Sequence, residues 1–304
     1  MQEVSYCFFF IYLCYMLKVG IIGNVSSMQP FVQHLKKEPG FEVIGKSSIG
    51  MIDQPADSLL SVPEYVKTAL LAASDILIID VSGMVNFDFL KDAVKNYKHL
   101  YFSDIPELTP SQCLDLQKLA SESGNIVQVR NPLLEEPVAY WIARNWQEPA
   151  YVNYFEGTTK IIGNRKIMVK LLLYAHRLFK GSPQKIRVSG INSQGGNNSF
   201  LNIRLDYPTF SAINFEILQQ PESEIKIRAS LPGKFIESAS LNQFLINHEK
   251  RTTDIPHISE FSVFIENLKS GTLISGTGLH SFYHVLGTYE ELLRKLSLYA
   301  PWYV

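Results

Sequence analysis

The chain has 304 residues, 46% of them apolar and 19% charged, an ordinary globular composition with room for two domains. A net charge of −1 gives no electrostatic footprint for nucleic acid or an anionic membrane. The three cysteines, Cys7, Cys14 and Cys113, show no metal-ligand spacing and make no disulfide framework, so a reducing compartment, the cytoplasm, is expected.

The N-terminal segment from Val4 to Leu17 is nearly all apolar. It is short for a transmembrane helix and lacks the basic flank of a signal peptide. A strand already begins at Leu17, which leaves no room for a cleavage site. The preferred reading starts translation at Met16 and treats residues 1–15 as an upstream extension, with a signal peptide or anchor as the alternative.

Residues 17–23 read as a buried parallel strand and Gln29 to Lys37 as a helix stopped by Pro39-Gly40. Phe41 to Gly45 is a short strand and Pro63 to Ala73 a helix. Asp75 to Asp80 is a continuous apolar run, the pattern of a strand covered on both faces. Helix, strand, helix and strand follow at Phe87–Asn96, His99–Phe102, Pro110–Ser123 and Ile126–Val129. This alternation predicts a doubly wound parallel sheet of the Rossmann type over residues 16–130.

From Asn131-Pro132 the pattern changes. A helix at Pro137–Asn145 leads to a strand at Tyr151–Lys160 and an amphipathic helix at Ile167–Phe179. Alternating strands follow at Lys185–Asn192, Ser199–Tyr207, Ser211–Leu218 and Glu224–Ala229, and helices at Ile258–Lys269 and Leu279–Leu298 close the chain. Hairpin-length connections predict a mostly antiparallel sheet, so residues 131–304 are expected to form an α+β domain.

The turn after the first strand has the layout of a dinucleotide fingerprint, in which Gly-x-Gly-x-x-Gly opens a helix beneath a pyrophosphate. Only Gly23 survives. Val25 takes the place of the second glycine and would crowd a pyrophosphate, and Met28 takes that of the third. Asn24 tolerates a left-handed conformation. Ser26 and Ser27 could donate to phosphate or cap the helix. After the second strand, Lys46 and Ser47 replace the usual ribose-binding acid, which slightly favours NADP over NAD if a dinucleotide binds; the alternative is a surface loop.

Several segments carry a family likeness: Lys18 to Gly23, Ser74 to Ile79, Tyr97 to Pro106, and Phe264 to Gly271 with the helix after it. In their order and spacing they resemble the glucose–fructose oxidoreductase / inositol dehydrogenase / MocA family over nearly the whole chain from residue 17. The resemblance implies an NAD(P)-dependent oxidoreductase acting on sugar- or polyol-like alcohols. It also implies a small-molecule ligand in an interdomain cleft and an oligomer formed through the second sheet. The apolar face expected there includes Phe200, Ile203, Leu205, Phe210, Ile213, Phe215 and Ile217.

The departures fall on the chemistry. The family's Glu-Lys-Pro becomes Asp104-Ile105-Pro106, so Ile105 stands where a lysine lies near the nicotinamide and the substrate hydroxyl. The family's acid and base on the first helix of the second domain fall near Leu171 and Tyr174. Tyr174, His176 and Asp104 are the candidate replacements, while packing, a solvated helix stripe and turn capping are the alternative roles. His280 and His284 share a helix face without a third ligand, so no metal is expected. Three readings stay open: an oxidoreductase with displaced catalytic groups, a non-catalytic nucleotide- or metabolite-binding protein, and a structural or interaction protein.

Overall fold

The computed structural model describes residues 16–48, 62–80, 85–159, 164–191, 199–240, 243–252, 260–271 and 278–299. The extension before Met16 and the turn at 192–198 lie outside them. Two compact units divide the chain, the first up to Arg130 plus Phe261–His280, the second Asn131–Glu260 plus the residues from Ser281. The division differs from a single cut at residue 131, because a segment near the far end returns to the first unit. Within the described residues no helix is long and apolar enough to cross a membrane.

The first unit is built on five parallel strands, β1 (Leu17–Gly23), β2 (Phe41–Ser48), β3 (Ile76–Ile79), β4 (His99–Phe102) and β5 (Val127–Val129), in the order β2-β1-β3-β4-β5. Between them run α1 (Val25–Leu35), α2 (Lys67–Ala73), α3 (Phe87–Lys95) and α4 (Pro110–Ser123). Every residue of β3 is buried, which is why its sequence is unbroken Ile-Leu-Ile-Ile. The pleat divides the strands between two faces. Val19, Ile21, Ile76, Ile78 and Tyr101 pack in one cluster with Met28, Phe31, Val32 and Leu35 of α1.

The same cluster takes Phe261, Phe264, Ile265 and Leu268 from α7 (Glu260–Ser270), more than a hundred residues beyond β5. Phe261 lies edge-on to Phe31 at 5.1 Å and to Tyr101 at 5.0 Å. Asn267 of α7 donates to Gln128 of β5 at 2.9 Å, a fully buried amide pair. The returning helix therefore adds as many buried side chains to this cluster as α1 does.

The second unit holds an eight-stranded sheet in the order β13-β12-β11-β10-β6-β9-β8-β7. Strand β6 (Tyr151–Thr158) runs parallel to β9 (Ala212–Gln219). The other pairings, through β7 (Lys185–Ile191), β8 (Phe200–Asp206), β10 (Glu224–Leu231) and β11 (Lys234–Ser240), are antiparallel. Strands β11, β12 (Gln243–Ile246) and β13 (Glu249–Thr252) escape a periodicity reading. In β13 the cause is plain: Glu249, Lys250 and Arg251 are exposed at the sheet edge, so no apolar alternation marks it. The α-helices of this unit among the described residues are α5 (Pro137–Arg144), α6 (Arg165–Phe179) and α8 (Leu279–Tyr299), the last beginning in the first unit.

Ile203, Leu205, Ile213, Phe215 and Ile217, expected on an apolar outer face, are buried in the core. The alternating positions carry charge instead. Asp206 bridges Arg187 at 2.6 Å and Arg204 at 2.8 Å, and Arg228 meets Glu237 at 2.6 Å. Phe200 is partly buried, and Phe210 is exposed in the β8–β9 turn at φ 57°.

Candidate functional site

The strand order reverses at β1, so the carboxyl ends of β1 and β3 form a topological switch point, where open α/β sheets bind their ligands. Here β1 ends at Gly23, α1 begins at Val25, and β3 delivers Asp80. Gly23 takes φ 142°, a conformation open mainly to glycine, so the special backbone position falls on Gly23 and not on Asn24. A Cβ on Gly23 would lie 2.4 Å from Cβ of Asp80. That contact explains why position 23 requires a glycine.

Asp80 dominates the turn. Its backbone N–H donates to Ile22 O at 2.8 Å, which fixes the residue against β1. Its Oδ2 accepts from Ser27 Oγ at 2.5 Å and from the Asn24 backbone N–H at 3.4 Å. Ser27, expected to face a phosphate or cap the helix, is engaged by a carboxylate of the protein itself. Val25 and Ser26 open α1, but their side chains lie outside the described residues.

Lys46 and Ser47 do not form a loop after β2. They are its sixth and seventh residues, opposite Ile21 and Ile22 and buried at 3% and 7% exposure. Neither the Lys46 ammonium nor the Ser47 hydroxyl is presented on the surface to a 2′-phosphate, so the loop reading behind the NADP preference does not hold. The strand runs on to Ser48, whose N–H and Oγ donate to the two carboxylate oxygens of Glu64 at 2.6 and 2.7 Å. An acid therefore does stand at the end of β2, supplied from sixteen residues further along the chain.

A nicotinamide dinucleotide, the group this fold implies, does not fit the turn as it stands. Its pyrophosphate would have to share the α1 N-terminus with the Asp80 carboxylate, and two anions held that close repel.

Asp104, Ile105 and Pro106 follow β4. The Ile105 side chain is fully buried, and Pro106 is buried too. Asp104 is partly buried, and its Oδ1 accepts from the Ile105 N–H at 2.7 Å, which holds the turn. Pro106 borders a recess of about 190 Å³ whose other walls include Asn86, Phe87, Glu107 and Gln112. Cys113 is buried, and burial pushes its thiol up to about 12, so it is no nucleophile.

In the second unit, α6 is buried along most of its length, including Leu171 and Tyr174. Tyr174 is fully buried, and its hydroxyl donates to Ala139 O at 3.3 Å. Burial drives its pKa far above the ordinary tyrosine value, so it does not exchange protons near neutral pH. Tyr174→Phe should therefore cost about 1 kcal/mol in a thermal or denaturant melt and change no activity. A loss of ligand binding or turnover without loss of stability would return Tyr174 to the site.

His176 is partly exposed and stacks on His284 of α8, ring centroids 5.9 Å apart and 15° from parallel. His280 meets Gln117 at 3.4 Å. The two histidines of α8 are thus directed to different neighbours, and among the described residues no group of three ligands could hold a metal ion. Trp141 packs on Phe244 and Trp146 on Phe179, and Trp302 lies outside the described residues.

The sequence reading missed one polar cluster. Lys170 Nζ lies 2.8 Å from both carboxylate oxygens of Glu156, and Tyr154 donates its hydroxyl to the same carboxylate at 3.0 Å. The Lys170 and Glu156 side chains are only 18% and 10% exposed. Burial, with the negative Glu156 beside it, pushes the Tyr154 pKa well up. The available signal was a glutamate at an inward position of a strand, which requires a partner.

No family model matches the chain, and no curated protein matches it. Solved structures do. A dehydrogenase from Clostridium difficile superposes with a TM-score of 0.75 at 14% identity, covering 91% of this chain and 99% of that one. Biliverdin reductase from Synechocystis, in complex with biliverdin and NADP+, gives 0.72 at 13% identity, over 92% and 98%. UDP-N-acetylglucosamine 3-dehydrogenase from Acidithiobacillus ferrooxidans also gives 0.72 at 13%, over 92% and 97%. Likeness at this level shows the fold, and it is the fold implied by the resemblance read from the sequence.

Proposed function

We propose that this chain, which has the two-domain fold of those dehydrogenases, is a non-catalytic member of that scaffold that binds a small metabolite and does not transfer hydride. The observation that carries this is the environment of Tyr174. Oxidation of an alcohol by NAD(P)+ moves a hydride to the cofactor and the hydroxyl proton to a base. Tyr174 is sealed in the core of the second unit with its hydroxyl given to Ala139, and the other positions where the resemblance expects catalytic groups, Ile105 in the first unit and Leu171 in the second, are each buried and apolar. A reducing compartment, the cytoplasm, is the proposed location, and the buried free thiol of Cys113 supports it. Self-association is proposed as well, through a second sheet whose outer face offers paired charges in place of an apolar patch.

A second reading keeps the oxidoreductase activity and gives the proton to His176, which is partly exposed on α6. The solved NADP+ complex of a similarly folded protein favours it.

One assay separates the two. The protein is incubated with millimolar NAD+ or NADP+ and a panel of polyols and sugars, and cofactor reduction is followed by absorbance. No turnover above a denatured control is expected. Turnover that persists in Tyr174→Phe and disappears in His176→Ala would overturn the non-catalytic reading and establish the second.

A further inference from the structure

We infer that Asp80 is a built-in anion occupying the phosphate cradle of the first unit, and that it bars dinucleotides from the switch point. This concerns the cofactor end of the fold and stands apart from the proton chemistry of the second unit.

The first turn of any helix carries N–H groups without helical partners, and the aligned peptide dipoles place partial positive charge there. A strand–turn–helix at a switch point turns this into an anion site. In this chain the turn is intact in outline: Gly23 adopts the required positive φ and α1 starts directly after Asn24. What differs is the residue that faces it. Asp80 follows β3, and its N–H is tied to Ile22 O. Gly23 lets its Cβ approach within a distance no other residue would permit. From that position the carboxylate reaches over the turn, takes the Ser27 hydroxyl and faces the Asn24 N–H. It is 8% exposed and belongs to the fold, at a site where a pyrophosphate would bring competing negative charge.

The absence of the second and third glycines fits the same account. Those glycines admit a pyrophosphate close to the backbone. When the anion is a side chain arriving from the neighbouring strand, no such approach is needed. Met28 can then be fully buried in the core beneath α1, as it is.

The test is equilibrium binding of NADH, NADPH and inorganic pyrophosphate, by calorimetry, to the full chain and to Asp80→Asn and Asp80→Ala. Asn keeps an acceptor for Ser27 and removes the charge, so it preserves the turn if Ala does not fold; circular dichroism melts establish that each variant is folded. We expect at least one of the three probes to bind the folded variants about ten-fold or more tightly than it binds the wild-type chain. Equal or weaker binding of all three by folded Asp80→Asn overturns the inference. Turnover is not read in this experiment, so it can fail or succeed independently of the proposed lack of catalysis.

Discussion

Phe264→Ala should cost the first unit about 4 kcal/mol, the largest single-site loss expected here. Phe264 is fully buried, and its ring lies 5.1 Å from that of Tyr101. Removing the ring leaves a cavity between α7 and the sheet that the stiff strands cannot collapse to fill. For a unit of this size the loss corresponds to a drop of about 10 °C in Tm. Because the chain has two units, the melt is to be followed with probes for each, and only the transition of the first should move. A related result is expected from a fragment of residues 16–130. Without α7 it exposes Phe31, Tyr101 and their neighbours and should not reach a cooperative native state, whereas adding the α7 segment back should restore one. A fragment that melts cooperatively without α7, or a Phe264→Ala loss below about 1 kcal/mol, would remove α7 from the core of the first unit.

The second large effect is expected at the buried ion pair of the second unit. Lys170→Met leaves the Glu156 carboxylate with only the Tyr154 hydroxyl, and Glu156→Gln leaves the ammonium without a counter-charge. Each single change should cost about 3 kcal/mol, because a charge held out of water loses the partner that offsets its desolvation. The double variant Glu156→Leu/Lys170→Met removes both charges at once and should lose much less than the sum of the singles. The coupling is read from a double-mutant cycle in denaturant melts. Additive losses, each under about 1 kcal/mol, would mean that the pair is solvated and that the cluster is not a structural clamp.

Much of the architecture was legible before any coordinates. The run Ile76-Leu77-Ile78-Ile79 reads as a strand buried on both faces because two helical layers leave it no polar side, and it is one. Helix α4 occupies Pro110–Ser123, the bounds read from the sequence, and the structure adds the capping box of Thr109 and Gln112 that starts it. The loss of glycines after Gly23 was equally visible, and with it the question of what the turn holds. Residue roles were harder to read. Tyr174 was a candidate acid or base with packing as the alternative, and only the structure shows it buried, because α6 is covered along most of its length. Lys46 and Ser47 looked like a loop because a polar run after an apolar one resembles a strand end, yet pairing with β1 carries β2 three residues further.

The sequence alone determined the order of strands and helices as far as β10, the change from a parallel to a mostly antiparallel sheet, and the departures from the fingerprint, while β11 to β13 emerged only in the structure. These depend on periodicity and on residue type at fixed spacing, which are local properties of the chain. Only the tertiary structure decided which polar groups meet. Asp80 is fifty-three residues from the serine it engages, Gln128 a hundred and thirty-nine from the amide it receives, and Glu156 fourteen from the lysine that neutralises it. Such pairs are set by how strands align and helices dock, and a hydrogen bond reaches only about 3 Å. Their partners therefore become visible only once the packing has placed them.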